Sequence, residues 1–234
     1  MKILAIDTTA KTVAAALCEE NSLLGEVTVN AKNTHSEAML PTIERLLSTF
    51  SLSPKDVDLY ALTRGPGSFT GVRIGAATIK GLAFRDSGET PVPIAAVSTL
   101  EALAYNFFGL GSDRDPFIAV PVMDARRSQA YTAAFLMSGG KPQQLCPDSA
   151  LSLDELKELL TGIAKGRRIM FVGDGYPLAW DYFSENDFGL DVAETPFTLR
   201  SPRGGSIALC GYHHYLDGDT VTEKTLTPSY LRGI

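Results

Sequence analysis

The stretch Arg64-Gly65-Pro66-Gly67-Ser68-Phe69-Thr70-Gly71-Val72-Arg73-Ile74-Gly75 decides the fold around it. An apolar run, residues 57–62, leads into it, and a small-residue helical pattern, residues 76–84, leads out of it. Because Pro66 fixes φ and glycine alone readily tolerates a positive φ, the Gly-Pro-Gly tripeptide forces a sharp turn. The stretch therefore predicts a strand, a tight loop and a helix N-terminus, with Ser68 or Thr70 as the N-cap.

Two interpretations of this loop stay open on its own residues. A Gly-rich loop at a helix N-terminus exposes backbone N–H groups beside the positive end of the helix dipole, which suits an anion such as phosphate. Alternatively, the glycines only let the helix pack closely on the sheet. The rest of the chain has to decide between a phosphate site and a packing device.

The composition indicates a folded protein with a sizeable core. The chain has 234 residues, of which 44% are hydrophobic and 21% charged, so it is one large domain or two small ones. Its net charge of −6 makes it a poor candidate for gripping nucleic acid alone. No apolar run approaches the ~18 residues of a membrane span, and Asp7 follows too few apolar residues for a signal peptide.

The cysteines and histidines predict no metal site. Cys18, Cys146 and Cys210 are scattered without a CxxC motif, which favours a reducing, cytoplasmic environment. The three histidines form no metal-ligand spacing with them, and they are His35, His213 and His214.

The N-terminal segment predicts an antiparallel meander. Its β-type runs are residues 2–6, 13–17 and 23–29, and Asp7-Thr8-Thr9 follows the first of them. An acidic residue at a strand end, beside hydroxyls, could hold a Mg²⁺-phosphate. The alternative is an Asx-turn, in which Asp7 only caps the hairpin.

Two helices follow in this half. Thr34-His35-Ser36-Glu37 fits a capping box before an apolar pattern of 3–4 residue period, and Pro41 should kink the helix or mark a late start. The helix from Gly71 is rich in glycine and alanine, which indicates close approach to another backbone, either its own sheet or another chain.

The polar, Gly-rich segment 109–116 is the best domain boundary, giving domains 1–108 and 109–234. The last helix or the tail is a candidate to return to the first domain. After the boundary the architecture repeats: a strand ends at Asp124, and residues 130–137 form the next. Further elements are predicted as a helix from Ser152 or Asp154 to Leu160, a strand at 168–172 ending in Gly173-Asp174-Gly175, and a helix at 206–215. We expect two α/β domains facing a cleft, with ligands at the strand ends.

Several motifs, in order along the chain, carry a family resemblance. They are Ile6-Asp7-Thr8-Thr9, Thr34-His35-Ser36-Glu37 with Leu40-Pro41, the stretch 64–75, Met123-Asp124-Ala125-Arg126-Arg127, and Tyr230-Leu231-Arg232. Together they resemble the bacterial TsaB (YeaZ) family, and the stretch 64–75 is the most specific of them.

The resemblance implies the actin/sugar-kinase/Hsp70 (ASKHA) fold, with two RNase H-like domains. It also implies a non-catalytic partner of TsaD, which moves a threonylcarbamoyl group onto N6 of adenosine 37 in tRNAs that read ANN codons. TsaE, a small ATPase, joins the same assembly, and such chains also form homodimers. Contact with tRNA is expected only through the complex.

The resemblance implies the first of two sets of candidate site residues, and the strand ends supply the second. The partner interface falls on the first two helices, at His35, Met39, Leu40, Ile43, Leu46, Leu47, Gly71, Val72, Gly75, Ala76 and Ile79. The candidate nucleotide-binding residues lie at the strand ends and are Asp7, Thr8, Thr9, Asp124, Arg126, Gly173, Asp174 and Gly175. The resemblance implies no intrinsic cofactor. It does imply ATP or ADP at the subunit interface of the complex.

Departures from the catalytic relatives predict that this chain does no chemistry alone. The His-x-x-x-His metal pair of the catalytic paralogue is replaced by Thr99 and Leu103, which also argues against a metallopeptidase. The second phosphate loop, residues 125–128, has no glycine. The alternative is a stand-alone ATP-dependent phosphotransferase using Asp7, Asp124 and residues 173–175. Because the strand ends already supply the phosphate candidates, residues 64–75 are predicted to be a packing device, on their own sheet and then on a partner.

Overall fold

The computed structural model of the chain describes residues 1–19, 22–30, 35–85, 90–126 and 129–231. It divides into two compact units. The first comprises Met1–Ala102 and Pro202–Ser229, and the second comprises Leu103–Ser201 with the residues from Tyr230 onward. The chain thus divides after residue 102, earlier than the predicted boundary after residue 108, and segment 202–229 belongs to the first unit.

The first unit contains a five-stranded sheet of order β3-β2-β1-β4-β5. The first three strands form the predicted antiparallel meander, and β4 and β5 run parallel to β1. The strands are β1 (Lys2–Asp7), β2 (Thr12–Glu19), β3 (Ser22–Asn30), β4 (Leu59–Thr63) and β5 (Ile94–Val97).

Helices α1 (His35–Thr49) and α2 (Phe69–Ala83) belong to this unit, and the division after Ala102 falls inside the short helix α3 (Thr99–Ala104). The apolar stripes of α1 and α2 enter one core with β-strand residues such as Leu4, Ile6 and Tyr60. Burial of these stripes, rather than helix propensity alone, holds the two helices in place.

The second unit repeats the strand topology of the first, with order β10-β9-β6-β7-β8. Its strands are β6 (Phe117–Asp124), β7 (Gln129–Met137), β8 (Gln143–Ser152), β9 (Ile169–Val172) and β10 (Val192–Ala193), and its helices are α4 (Leu153–Ile163) and α5 (Tyr176–Ser184). The β6–β7 meander follows the predicted architectural repeat, whereas β8, β10 and α5 were not predicted.

The last helix, α6 (Gly204–Leu216), packs across β1, β2, β4 and β5 of the first sheet. Its glycines permit this close approach. A Cβ at Gly211 would lie 2.5 Å from the Cβ of Ala61, and a Cβ at Gly204 would lie 2.6 Å from the backbone of Ala15. The first unit therefore takes its final helix from the far end of the chain. Among the described residues, no helix is long and apolar enough to cross a membrane.

Candidate functional site

The central loop is joined to the end of β1 by hydrogen bonds. Ser68 is the N-cap of α2, since its Oγ accepts from the Gly71 N–H at 3.2 Å. The Ser68 N–H donates to the Thr9 carbonyl at 2.8 Å. The Thr8 Oγ1 hydroxyl donates to the Gly71 carbonyl at 2.7 Å. The loop, the helix N-terminus and the turn after β1 therefore form one connected unit.

The glycines of this stretch are explained by contacts inside the first unit. A Cβ on Gly71 would lie 1.9 Å from the Thr8 carbonyl oxygen, and one on Gly75 would lie 2.7 Å from Thr8 Oγ1. Gly65 has a φ of +114°, and a Cβ there would lie 2.3 Å from the Ser229 carbonyl oxygen. These positions need glycine to pack on their own unit. These contacts account for the glycines within the first unit, and contact of Gly71 and Gly75 with a partner chain stays a prediction.

Asp7 lies at the C-terminal end of β1 and is fully buried. Its Oδ1 accepts hydrogen bonds from Thr9 Oγ1 at 2.6 Å, from Thr9 N–H at 3.2 Å, and from Thr63 Oγ1. Its Oδ2 has no hydrogen-bond partner among the described residues. Desolvation by burial raises the pKa of this carboxyl, against the opposing effect of the hydroxyl hydrogen bonds. Asp7 is therefore a carboxyl with a raised pKa that is enclosed by its own unit.

The corresponding strand end of the second unit carries Asp124, Arg126 and Asp174. The Asp124 Oδ1 accepts from the Arg126 N–H at 2.7 Å, which is an Asx-turn, and Arg126 adopts a positive φ of 60°. The Asp124 N–H points at Asp174 Oδ1, 3.4 Å away. Asp124 and Arg126 from this turn and Asp174 from the turn after β9 thus lie together at the C-terminal end of β6.

Gly173 and Gly175 give this strand end its shape. Gly173 has a φ of +109°, and a Cβ there would lie 2.4 Å from the Val122 carbonyl oxygen. The Gly175 N–H donates to the same carbonyl at 3.0 Å. Both glycines therefore let the chain after β9 cross closely over β6. The neighbouring Arg127 and Ser128 lie outside the described residues.

Most of the predicted partner-interface residues are buried in the core of the first unit. The buried members are Met39, Ile43, Leu46, Leu47, Gly71, Val72, Gly75, Ala76 and Ile79. His35 is partly exposed, and its ring Nε2 lies 2.8 Å from the Ala10 carbonyl oxygen. Leu40 is 46% exposed. The residues named for the interface from the resemblance are therefore mostly core residues of the first unit, and their contact with a partner stays a prediction.

The outer stripe of these two helices has its own character. We define the α1–α2 face as Leu40, Phe69, Arg73, Ala77 and Gly81, all of which are exposed. Phe69 is 44% exposed, and the Arg73 guanidinium lies 3.7 Å from its ring centroid. A Cβ on Gly81 would meet nothing within 4 Å. Glycine weakens a helix interior, and a side chain at position 81 would meet no atom of the first unit. The packing of the first unit therefore does not explain why position 81 is a glycine.

A further cluster was missed by the sequence analysis. Glu101 on α3 and the pair Cys210 and His214 on α6 present ligand atoms that all lie within 4.8 Å of one another. The signal was available in part, because Cys210 and His214 are four residues apart and share one face of a helix. The position of Glu101 beside them could not be read from spacing. Thr99 and Leu103, at the positions of the paralogue's histidines, are buried.

Comparison with known proteins places these features in a family. A profile described as "TsaD: tRNA N6-adenosine threonylcarbamoyltransferase" matches residues 21–211. The Bacillus subtilis (strain 168) protein "tRNA threonylcarbamoyladenosine biosynthesis protein TsaB" is 33% identical over 99% of this chain and 94% of its own length. The Haemophilus influenzae protein of the same name is 35% identical with the same coverage.

Solved structures agree on the fold. "YeaZ from Pseudomonas aeruginosa" matches with a TM-score of 0.76 at 24% identity, covering 98% of this chain and 99% of that one. An inorganic polyphosphate/ATP-glucomannokinase from an Arthrobacter strain matches with a TM-score of 0.51 at 10% identity, covering 92% and 99%. With its two sheets of matching topology, the chain has the predicted ASKHA fold.

Proposed function

Because the chain belongs to the TsaB (YeaZ) family of tRNA threonylcarbamoyladenosine biosynthesis proteins, we propose that it acts as a non-catalytic subunit that binds and activates TsaD. In this role TsaD, joined by TsaE, transfers the threonylcarbamoyl group to N6 of adenosine 37. This chain supplies a surface rather than a reacting group.

The α1–α2 face is the observation that carries the proposal. The inner stripes of both helices fill their own core, and α1 and α2 pack against each other. The outer stripes still expose Leu40, Phe69 and Ala77. Interfaces are enriched in aromatic residues and arginine, and the Phe69–Arg73 pair offers both. We infer that TsaD covers this face, and that two copies of the chain use the same face in the absence of TsaD.

The non-catalytic part of the proposal is supported by the first unit. Binding of Mg²⁺ and phosphate calls for an ionised, accessible carboxylate. Asp7 is instead fully buried, and burial raises its pKa. This environment argues against independent phosphotransfer. A nucleotide at the subunit boundary, near Asp124, Arg126 and Asp174, stays a proposal, as does contact with tRNA only through TsaD.

Reconstitution tests the role directly. Purified chain is mixed with TsaD, TsaE, ATP, tRNA and threonylcarbamoyl-adenylate as the group donor, and modified adenosine is quantified with and without the chain. We expect modification to depend on it. Modification that proceeds equally well without the chain would overturn the proposal. ATP turnover by the chain alone, abolished by Asp7→Asn, would instead establish the phosphotransferase.

A matched pair of variants tests the surface. Leu40 on α1 and Leu178 on α5 are exposed to similar degrees, 46% and 43%. We expect Leu40→Arg to weaken TsaD binding by about tenfold or more, since it places a charge in an apolar contact, whereas Leu178→Arg should not. Binding is measured by titration calorimetry, and homodimerisation by light scattering. Equal behaviour of the two variants would exclude the α1–α2 face.

A further inference from the structure

The cluster of Glu101, Cys210 and His214 lies wholly within the first unit. The His214 Nε2 is 3.0 and 3.1 Å from the two carboxylate oxygens of Glu101, and the Cys210 Sγ lies within 4.8 Å of both groups. Cys210 is fully buried, whereas the side chains of Glu101 and His214 are 27% and 22% exposed. One side of the cluster is therefore closed by protein and the other is open to water.

The donor set matches a particular class of metal ion. Thiolate sulfur, imidazole nitrogen and carboxylate oxygen are the ligands of Zn²⁺, at about 2.3, 2.0–2.1 and 2.0–2.2 Å. In a tetrahedron with those bond lengths, ligand atoms lie about 3.3–3.6 Å apart. The Glu101–His214 separation has to widen by a few tenths of an ångström, and a Cys210 sulfur at the 4.8 Å limit has to approach by about 1.2 Å.

The surroundings of His214 resemble the outer shell of a metal site. Its Nδ1 lies 2.7 Å from Asp219 Oδ2, which fixes the ring and leaves Nε2 directed at the cluster. Metal-bound histidines commonly donate their other ring N–H to a carboxylate. The carboxylates of Glu101 and Asp219 therefore flank both ring nitrogens of His214.

From this arrangement, we propose that Glu101, Cys210 and His214 form a Zn²⁺ site, with water as the fourth ligand and Asp219 orienting His214. Ion binding displaces the protons of the imidazole Nε2 and the thiol into solvent. The ion would fasten α3 to α6, the helix supplied by the far end of the chain. The site does not depend on the proposed TsaD-binding role.

Metal titration of the full chain tests the site. After treatment with a chelator, the protein is titrated with Zn²⁺ in competition with a chromophoric chelator, and separately with Co²⁺. We expect one equivalent to bind, a thiolate-to-cobalt charge-transfer band, and a rise in Tm with Zn²⁺. Asp219→Asn should weaken affinity by about 10- to 100-fold, the usual effect of losing a carboxylate that orients a ligand.

Matched variants identify the ligands. Cys210→Ala should abolish the charge-transfer band, whereas Cys18→Ala, at another buried cysteine, should retain it. His214→Gln should abolish saturable binding, whereas His213→Gln should retain it. Circular dichroism verifies that each variant is folded, and Glu101→Gln provides a third ligand variant should one fail to fold. Absence of one-equivalent binding in the wild type, or binding unaffected by the Cys210 and His214 variants, would overturn the site.

Discussion

The Thr8 Oγ1 hydroxyl donates a 2.7 Å hydrogen bond to the Gly71 carbonyl oxygen, and the Thr8 carbonyl oxygen occupies the space that a Cβ on Gly71 would need. A single residue at the end of β1 thus both binds and restricts the first turn of α2. The glycine at position 71 is a requirement of this junction.

Gly71→Ala should therefore destabilise the first unit, and Gly81→Ala should stabilise it. The added methyl at position 71 would lie 1.9 Å from a backbone oxygen, whereas at position 81 it meets nothing within 4 Å. We expect the free energy of unfolding to fall by about 1–3 kcal/mol for Gly71→Ala. It should rise by about 0.5–1 kcal/mol for Gly81→Ala, because alanine is the better helix residue. Urea denaturation measures both, and equal effects would show that α2 does not approach Thr8 this closely.

A larger side chain at position 81 separates stability from association. Gly81 on α2 and Gly162 on α4 both lie in helices, and a Cβ on either meets nothing within 4 Å. Gly81→Leu and Gly162→Leu should both leave the chain folded, since leucine is a good helix former. If TsaD covers the α1–α2 face, Gly81→Leu alone should weaken binding, by about tenfold or more. Calorimetric titration with TsaD measures the difference, and unchanged affinity would place Gly81 outside the interface.

These two cases show what the sequence could and could not predict. Gly65-Pro66-Gly67 and Ser68 predicted the loop and the start of α2, because each acts locally on φ or on a helix N–H. Periodicity also located the buried stripes of α1 and α2. It could not reveal that the first unit's own core buries those stripes, because tertiary packing decides which residues cover them.

Other misses have equally physical origins. Strand β8 contains Pro147 and Asp148, which are residues depleted in strands, so no strand was predicted there. Helix α5 starts with Tyr176-Pro177 directly after the Gly-rich turn, where the sequence indicated only a strand end. Glu101 and His214 are 113 residues apart in the chain, and only the return of α6 to the first sheet brings them together.

Asp7→Asn should change how stability depends on pH. The folded-state pKa of Asp7 is raised above its ordinary value of 3.8, so the protonated form is favoured by folding. Stability contributed by that proton is present below the unfolded-state pKa and is lost as pH rises through the folded-state pKa. Asparagine cannot ionise, so the stability of the variant relative to wild type should increase with pH across this range. Denaturation of both proteins between about pH 4 and pH 8 measures it. A relative stability that falls with pH would indicate that the carboxylate is the favoured form.

Ser152→Ala should weaken the start of α4. Ser152 Oγ accepts from the Glu155 N–H at 3.2 Å, and Glu155 Oε2 accepts from the Ser152 N–H at 2.7 Å, which completes a capping box. We expect a loss of about 1 kcal/mol. Thr161→Ala on the same helix removes only an exposed bond to the Lys157 carbonyl and should cost less than about 0.5 kcal/mol. The hydrogen bond from the Ser152 N–H lowers the pKa of Glu155, so its half of the cap is present at neutral pH and lost in acid. Thermal denaturation of both variants at two pH values measures the two losses of stability. A Thr161→Ala loss as large as the Ser152→Ala loss would contradict the role of the cap.

Substitutions at Asn106 test the orientation of a buried amide in the second unit. The Asn106 Nδ2 donates to the carbonyls of Leu199 and Ser201 at 2.8 and 2.9 Å, and the residue is 8% exposed. Asn106→Ala removes the donor from two carbonyls and should cost about 1–3 kcal/mol. Asn106→Asp should cost more at neutral pH, because it turns a carboxylate oxygen toward the same carbonyls. Asn186→Ala is the control, since its exposed Nδ2 makes one bond, to the Tyr182 carbonyl, and should cost little. Urea denaturation ranks the three variants. If the aspartate variant were no worse than the alanine one, the Asn106 side chain would present its oxygen, not its nitrogen, to this turn.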